Sequence, residues 1–222
     1  MLTLIKSIIH LLFTLVPNSS LPTLYYCHDP MCSWCWAFKP TWEKVKTAIE
    51  NKVNIHYLLG GLAPDNNETM GLETQNYVQA NWEKIQKTVP GTEFNFDFWR
   101  LCEPKRSTYP ACRAVICARK QQPRVETFYI EAIQHAYYLE AKNPSNNNVL
   151  IDIAEKLGLG TKQFAEDLNS PDVQQTLTKE MALSQSLGMT SFPSLKLLSG
   201  GTMATIEIDY NNADSIIRQI IT

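Results

Sequence analysis

The chain has 222 residues, of which 44% are hydrophobic, which is enough for one compact domain or for one domain that carries an insertion. The formal net charge of −2 gives no basis for a nucleic acid or an anionic membrane surface as partner. Six cysteines in a chain of this length exclude a small disulfide-stabilised scaffold.

The first 21 residues have the pattern of a possible signal peptide or of an N-terminal extension. Lys6 is their only charged residue, and the apolar run at residues 8–16 is too short to cross a membrane, so no integral membrane span is predicted. Residues 17–20, Pro-Asn-Ser-Ser, lack the small-residue pattern of a cleavage site. We expect a cytoplasmic protein first, and a periplasmic or exported one if these residues act as a leader.

The central feature of the chain is a Cys-Ser-Trp-Cys motif at residues 32–35. A strand-forming run precedes it at residues 23–28, and a break at Asp29-Pro30 separates the two. After the motif, apolar side chains recur at helical spacing as far as residue 49. A cysteine pair between a strand and a helix, in a chain without a second Cys-x-x-Cys, indicates a thioredoxin-like redox site.

The position of Cys32 at the start of a helix favours its thiolate, because unpaired backbone N–H groups and the helix dipole stabilise an anion there. Cys32 is then the nucleophile, and Cys35, one turn further on, resolves the mixed disulfide. Asp29 either caps the turn or relays a proton for Cys35, and capping is the expectation. Since neither Ser33 nor Trp34 is charged, we predict a reduction potential between about −120 mV and about −270 mV.

The four other cysteines allow several arrangements. Cys27 and Cys117 are interpreted as small buried hydrophobic residues. Cys102 and Cys112 flank a proline-rich turn and would pair in an oxidising compartment, which is the alternative to two free thiols. A zinc site that joins the motif to Cys112 and Cys117 has suitable ligands but poor spacing, so no metal is predicted.

The elements after the first helix follow from hydrophobic periodicity. Residues 53–59 alternate as a second strand, and a strand–helix–strand unit of this length predicts a right-handed parallel crossover. The pattern from about residue 70 to residue 187 is mostly helical. Strands at residues 194–198 and 203–208 flank a Ser-Gly-Gly-Thr turn, and residues 214–221 form a closing helix.

Two stretches carry a family resemblance. The sequence Asp-Pro-Met-Cys-Ser-Trp-Cys-Trp at residues 29–36 resembles the DsbA-like branch of the thioredoxin superfamily, in its FrnE-like subgroup. Residues 188–195, Gly-Met-Thr-Ser-Phe-Pro-Ser-Leu, resemble the loop that carries the cis-proline of that family. The resemblance implies an α/β protein with a thioredoxin fold and a large all-helical insertion between the N-terminal βαβ unit and the C-terminal ββα unit. Residues 22–61 and 188–222 would form the thioredoxin-like domain, and residues 62–187 the helical insertion subdomain.

The resemblance also implies a function. Cys32 and Cys35 would be the catalytic pair of a thiol–disulfide oxidoreductase or isomerase that acts on protein or peptide thiols and disulfides. No cofactor is implied besides this pair, with glutathione as a candidate reductant. Trp34, Phe192 and a cis Pro193 would bind the substrate.

Two other functions stay open on the sequence. Glutathione-dependent transferases of the kappa class and chromene-carboxylate isomerases share this architecture, but they usually carry serine in place of the first cysteine. A non-enzymatic peptide-binding module is the third hypothesis. A stretch that ends in Arg106 and Arg113 resembles one in the same subgroup, and its arginines either face the site or lie in solvent.

Overall fold

The computed structural model describes residues 21–221 of the chain. The signal-peptide interpretation therefore concerns residues that lie, except for Leu21, outside the described range. Within that range, none of the helices has both the length and the apolar character needed to cross a membrane.

Four strands and nine α-helices form within residues 21–221, and a single 3-10 turn at Pro123–Val125 joins two of the helices. In chain order they are β1 Thr23–His28, α1 Ser33–Ile49, β2 Asn54–Leu59, α2 Leu72–Thr88, α3 Phe98–Leu101, α4 Tyr109–Gln121, α5 Glu126–Tyr138, α6 Asn147–Lys156, α7 Thr161–Leu168, α8 Pro171–Ser186, β3 Ser194–Ser199, β4 Thr202–Ile206 and α9 Ala213–Ile221.

The four strands form one mixed sheet in the order β2-β1-β3-β4. Strand β1 pairs in parallel with β2 and antiparallel with β3, and β3 pairs antiparallel with β4. A βαβ unit and a C-terminal ββα unit thus flank the helical region, which confirms the predicted fold class. The prediction was wrong about the end of β4, which stops at Ile206 because the Glu207 backbone N–H donates to the Gln219 side chain of α9.

One hydrophobic core lies between the sheet and the helices α1 and α9. The Tyr26 ring of β1 contacts the rings of Phe38 and Trp42 on α1, and Ile216 and Ile220 of α9 are buried in the same cluster. Burial of each such side chain contributes roughly 1.5–3 kcal/mol to folding. The helical spacing of Phe38 and Trp42 therefore reports core packing, and it fixes α1 against the strand that leads into the cysteine motif.

A second core fills the helical region around the fully buried Trp82 of α2. The Trp82 ring contacts four aromatic residues from the segment after α2, namely Phe94, Phe96, Phe98 and Trp99. Tyr138 of α5 packs on the same ring, and its hydroxyl donates a 2.7 Å hydrogen bond to the backbone carbonyl of Met31. The helical core therefore holds the residue that immediately precedes the cysteine motif.

Candidate active site

The cysteine motif lies where the turn after β1 becomes helix α1. Cys32 occupies the N-cap position of α1, and its backbone N–H donates to the carbonyl of Asp29 at 3.0 Å. Its own carbonyl accepts from the Trp36 N–H at 3.1 Å, which starts the helical hydrogen-bond pattern. The Cys32 sulfur therefore lies beside the unpaired N–H groups at the positive end of the helix dipole.

The Phe192–Pro193 loop faces Cys32 from the other end of the chain. The Phe192–Pro193 peptide bond is cis, as the resemblance implied. The Cys32 Sγ donates to the Phe192 backbone carbonyl at 3.4 Å, although the two residues are 160 positions apart. The strand order places β1 next to β3, so the turn after β1 and the loop before β3 meet at one edge of the sheet.

The two sulfurs of the motif have different surroundings. Both residues are buried, with Cys32 6% and Cys35 1% exposed, but Cys32 lines a surface groove and Cys35 lines a second, equally open pocket. Burial raises the pKa of Cys35 well above its ordinary value, and the hydrogen bond and the charge of Cys32 raise that pKa further. Cys35 is thus held as a neutral thiol in contact with Cys32, and of the two residues Cys32 alone lines the groove.

The groove has a volume of about 300 Å³ and lies between the thioredoxin-like part and the helical region. Cys32 and Trp34 line one side with Phe192, and helix α2 contributes Tyr77 and Asn81 from the other. Trp34 is half-buried and its ring lies 5.0 Å from that of Tyr210. The three residues predicted to bind substrate, Trp34, Phe192 and Pro193, therefore lie together, with the first two in the groove wall and Pro193 buried behind them.

The second pocket, which Cys35 lines, has a volume of about 220 Å³ and contains groups that the motif did not indicate. His28 lines it and is 2% exposed, and its buried Nε2 has no hydrogen-bond partner among the described residues. Burial, assisted by the nearby charge of Arg119, lowers the pKa of His28 to about 4. The imidazole is therefore neutral at pH 7. Lys39 and Glu131 form an ion pair in the pocket wall, and Lys39 lies one helical turn after Cys35.

Asp29 is fully buried, and its carboxylate links the turn before the motif to the helical region. It accepts from the backbone N–H groups of Met31 at 2.8 Å and Leu62 at 2.7 Å, and from the Thr108 hydroxyl at 2.6 Å. The Cys112 thiol donates to it at 3.5 Å. The bond from Met31 confirms the predicted turn-capping role. Burial raises the pKa of Asp29, while the four hydrogen bonds act in the opposite direction.

The two arginines at the ends of the 106–113 stretch lie in different environments. Arg106 is exposed and lines the groove that also contains Cys32. Arg113 is buried and points away from the groove, with its guanidinium paired to both carboxylate oxygens of Asp65 and donating to the Leu168 carbonyl. For Arg113, the expectation that it would face the site or lie in solvent was wrong, because α4 carries it on a buried face.

The remaining cysteines do not pair. The Cys102 thiol donates to the Ala141 carbonyl at 2.9 Å and the Cys112 thiol to Asp29, so the alternative of a disulfide between Cys102 and Cys112 does not hold in this structure. Cys27 and Cys117 are buried as predicted, and burial raises the pKa of each thiol to about 12. Among residues 21–221, no group of three or more His, Cys, Asp or Glu side chains is arranged to hold a metal ion.

Gly60, which follows β2, makes room for the Phe192 ring. A methyl group at position 60 would overlap three atoms of that ring. We expect Gly60→Ala to displace the ring and to lower the free energy of unfolding by about 1–3 kcal/mol. Urea denaturation measures this, with Gly71→Ala as the control, since a methyl group at Gly71 meets nothing within 4 Å and removes only a helix-cap preference of under about 1 kcal/mol. Equal stability of the two variants would contradict this packing role.

A mixed sheet with a cysteine pair at the start of its first helix, facing a cis-proline loop, defines a thioredoxin-fold protein with a dithiol site. The sequence matches the thioredoxin family over residues 25–209. The chain belongs to the thioredoxin family.

Three known proteins are similar to this chain in sequence or in structure. A solved structure from Nitrosomonas europaea, provisionally named a protein disulfide isomerase, is 26% identical and superimposes with a TM-score of 0.78 over 90% of this chain and 96% of that one. The cytosolic disulfide reductase DsbM from Pseudomonas aeruginosa is 22% identical with a TM-score of 0.68, over 83% of this chain and 89% of that one. The ClpXP adapter protein SpxH of Halalkalibacterium halodurans is 25% identical over 77% of this chain, which spans only 56% of the relative's length.

Proposed function

We propose that this protein is a thiol–disulfide oxidoreductase that exchanges protein or peptide disulfides through Cys32 and Cys35. The observation that carries this proposal is the asymmetry of the pair. Cys32 lies at the N-terminus of α1, lines the groove and contacts the Phe192 carbonyl, whereas Cys35 is 1% exposed and does not line the groove. A sulfur in the groove wall with a more deeply buried partner in contact supports a nucleophile and a resolving thiol.

The exchange has two steps. The Cys32 thiolate attacks one sulfur of a substrate disulfide, so that a mixed disulfide forms and the other substrate sulfur leaves as a thiolate that takes up a proton. Cys35 then loses its proton and attacks the Cys32 sulfur, which forms the Cys32–Cys35 disulfide and releases the second substrate sulfur. The pair has given two electrons and two protons to the substrate. Run backwards, the same steps oxidise a substrate dithiol.

The groove supplies the docking surface in this proposal. Phe192 and Pro193 precede β3, and their backbone lies beside the Cys32 sulfur, so an extended substrate segment would lie next to this loop. Trp34, backed by the ring of Tyr210, offers an apolar surface on the same side. No further cofactor is needed, and glutathione is a candidate reductant for the oxidised pair.

Redox titration of the full chain against glutathione tests the proposal. The Cys32–Cys35 pair is expected to equilibrate with a midpoint between about −120 mV and about −270 mV, because neither residue between the cysteines is charged. Mass spectrometry after thiol alkylation reads out the reduced and oxidised fractions. Failure of the pair to exchange with glutathione at neutral pH would defeat the proposal, and a midpoint outside the interval would reject the predicted potential.

A second candidate function is that of an adapter, because curated relatives that match most of this chain are ClpXP adapter proteins. The matched part covers just over half of those relatives, so the adapter function is proposed here only as the rival. The double variant Cys32→Ser/Cys35→Ser separates the two. If the protein is an adapter, this variant should still stimulate degradation by ClpXP. If the protein is an oxidoreductase, this variant should have lost its disulfide-exchange activity.

A further inference from the structure

The groove beside Cys32 contains positive charge and no negative charge. Its charged lining residues among residues 21–221 are Lys105 and Arg106, from the segment that leads into α4, and no Asp or Glu lines it. The chain as a whole is slightly acidic, with a net charge of −2. The positive lining is therefore a local property of this groove and does not follow from the overall composition.

The two cations are available to a ligand. Arg106 is exposed, and no ion pair joins its side chain to another residue between 21 and 221. Lys105 is half-buried and also lines a neighbouring pocket, where its Nζ lies 3.4 Å from the neutral side-chain oxygen of Asn146 and where both oxygens of Asp65 are paired with Arg113. The nearest acid in sequence, Glu103, accepts a hydrogen bond from Thr69 and does not line the groove. Arg113, by contrast, is held by both oxygens of Asp65 and has no role here.

Asp29, a carboxyl group in contact with the groove lining, does not offset this charge. Asp29 lies behind the lining residue Thr108 and is fully buried, with four hydrogen bonds to its oxygens. Burial also raises its pKa, which favours the neutral form. A ligand in the groove therefore meets the Arg106 guanidinium, with the Lys105 ammonium at the border to the neighbouring pocket, and no carboxylate in the groove lining.

We propose that the groove selects disulfides that carry carboxylate groups close to the reacting sulfur, and that Lys105 and Arg106 form the carboxylate-binding subsite. This proposal rests on the proposed function, because the subsite acts on a substrate that Cys32 attacks. The guanidinium presents paired N–H donors that match a carboxylate, and Lys105 adds a compact charge on a flexible stem. Both act on encounter and on the bound mixed disulfide, since each is present before and after the first exchange step.

Glutathione disulfide is the small-molecule probe of this chemistry. Cys32 attacks one of its sulfurs, releases one glutathione as a thiolate that becomes protonated, and keeps the other as a mixed disulfide. Cys35 then closes the Cys32–Cys35 disulfide and releases the second glutathione. The protein dithiol loses two electrons and two protons, and two glutathione thiols are formed. Bis(2-hydroxyethyl) disulfide undergoes the same exchange without any carboxylate.

The test compares oxidation rates of the reduced full chain by these two disulfides. For the wild type, we expect the rate ratio of glutathione disulfide to hydroxyethyl disulfide to fall with added salt, because charge attraction is screened. In Lys105→Gln/Arg106→Gln this ratio is expected to fall about tenfold. The control, Lys84→Gln/Lys87→Gln, removes the same charge from exposed positions of α2 outside the groove and is expected to keep the wild-type ratio.

A further arm distinguishes a small ligand from a peptide. A short peptide disulfide with glutamates beside its cysteine is compared with the same peptide carrying glutamines. A lower relative oxidation rate of Lys105→Gln/Arg106→Gln with glutathione disulfide, with the acidic peptide or with both supports the subsite. The substrate that is affected shows which kind of ligand the subsite binds. Unchanged relative rates with both carboxylate-bearing disulfides would overturn the proposed subsite. An equally large decrease in Lys84→Gln/Lys87→Gln would also overturn it. If no disulfide oxidises the wild-type pair, the proposed function itself fails, and the two failures are therefore distinguishable.

Discussion

Replacement of Cys35 with alanine is expected to stop turnover at the mixed-disulfide stage. Cys32 remains in the groove and still attacks a substrate disulfide, but the thiol that would displace the substrate is gone. Turnover of a peptide disulfide should fall by about 100-fold or more, while a covalent adduct of one protein and one substrate half accumulates. Mass spectrometry under non-reducing conditions measures the adduct, and a continuous thiol assay measures turnover.

Two variants make this prediction sharp. Cys32→Ser removes the accessible sulfur, so neither adduct nor turnover is expected. Cys117→Ala is the matched control, because Cys117 is also a fully buried thiol but lies in helix α4, outside the groove and the second pocket. It should keep turnover near the wild-type value. An adduct on Cys35 in the Cys32→Ser variant would reverse the assigned order of attack.

The cysteine motif and the two elements that flank it could be predicted, because they depend on local sequence patterns. The motif at residues 32–35 lies between a strand-forming run and a helical repeat, and the structure has a strand and a helix at these positions. The helical spacing was informative because Phe38 and Trp42 are core positions. The position of Pro193 opposite Cys32 was available only through the family resemblance, since nothing local in the sequence relates residues so far apart. The strand order then brings them together.

The rest of the site depends on contacts that no local pattern encodes. Thr108 donates to Asp29 across 79 positions, and Tyr210 packs on Trp34 from a loop before the last helix. The burial of Arg113 could not be predicted, because a charged residue on a helix is expected in solvent. Its burial follows from a bidentate pair with Asp65, a partner that only the fold of the helical region places within reach.

The protein is expected to lose about 3 kcal/mol of stability through His28 between about pH 6.5 and about pH 4. Burial, with the charge of Arg119, lowers the pKa of His28 from 6.5 to about 4 in the folded chain. As the pH falls, the unfolded chain therefore takes up this proton first, and unfolding becomes easier. The contribution is complete above about pH 6.5 and is lost by about pH 4, where the folded chain is protonated as well.

Urea denaturation of wild type and His28→Gln at a series of pH values measures the effect. The variant lacks the titrating group, so the stability difference between the two proteins should change by about 3 kcal/mol across this range, whatever the packing cost at pH 7. Burial raises the pKa of Asp29 and of Glu126, which makes both stabilising as the pH falls, but they are common to both proteins and cancel in the difference. His56→Gln is the matched control, since it makes the same substitution at an exposed position of the neighbouring strand β2. A parallel profile for His28→Gln would mean that the imidazole behind Cys35 is not held neutral by burial.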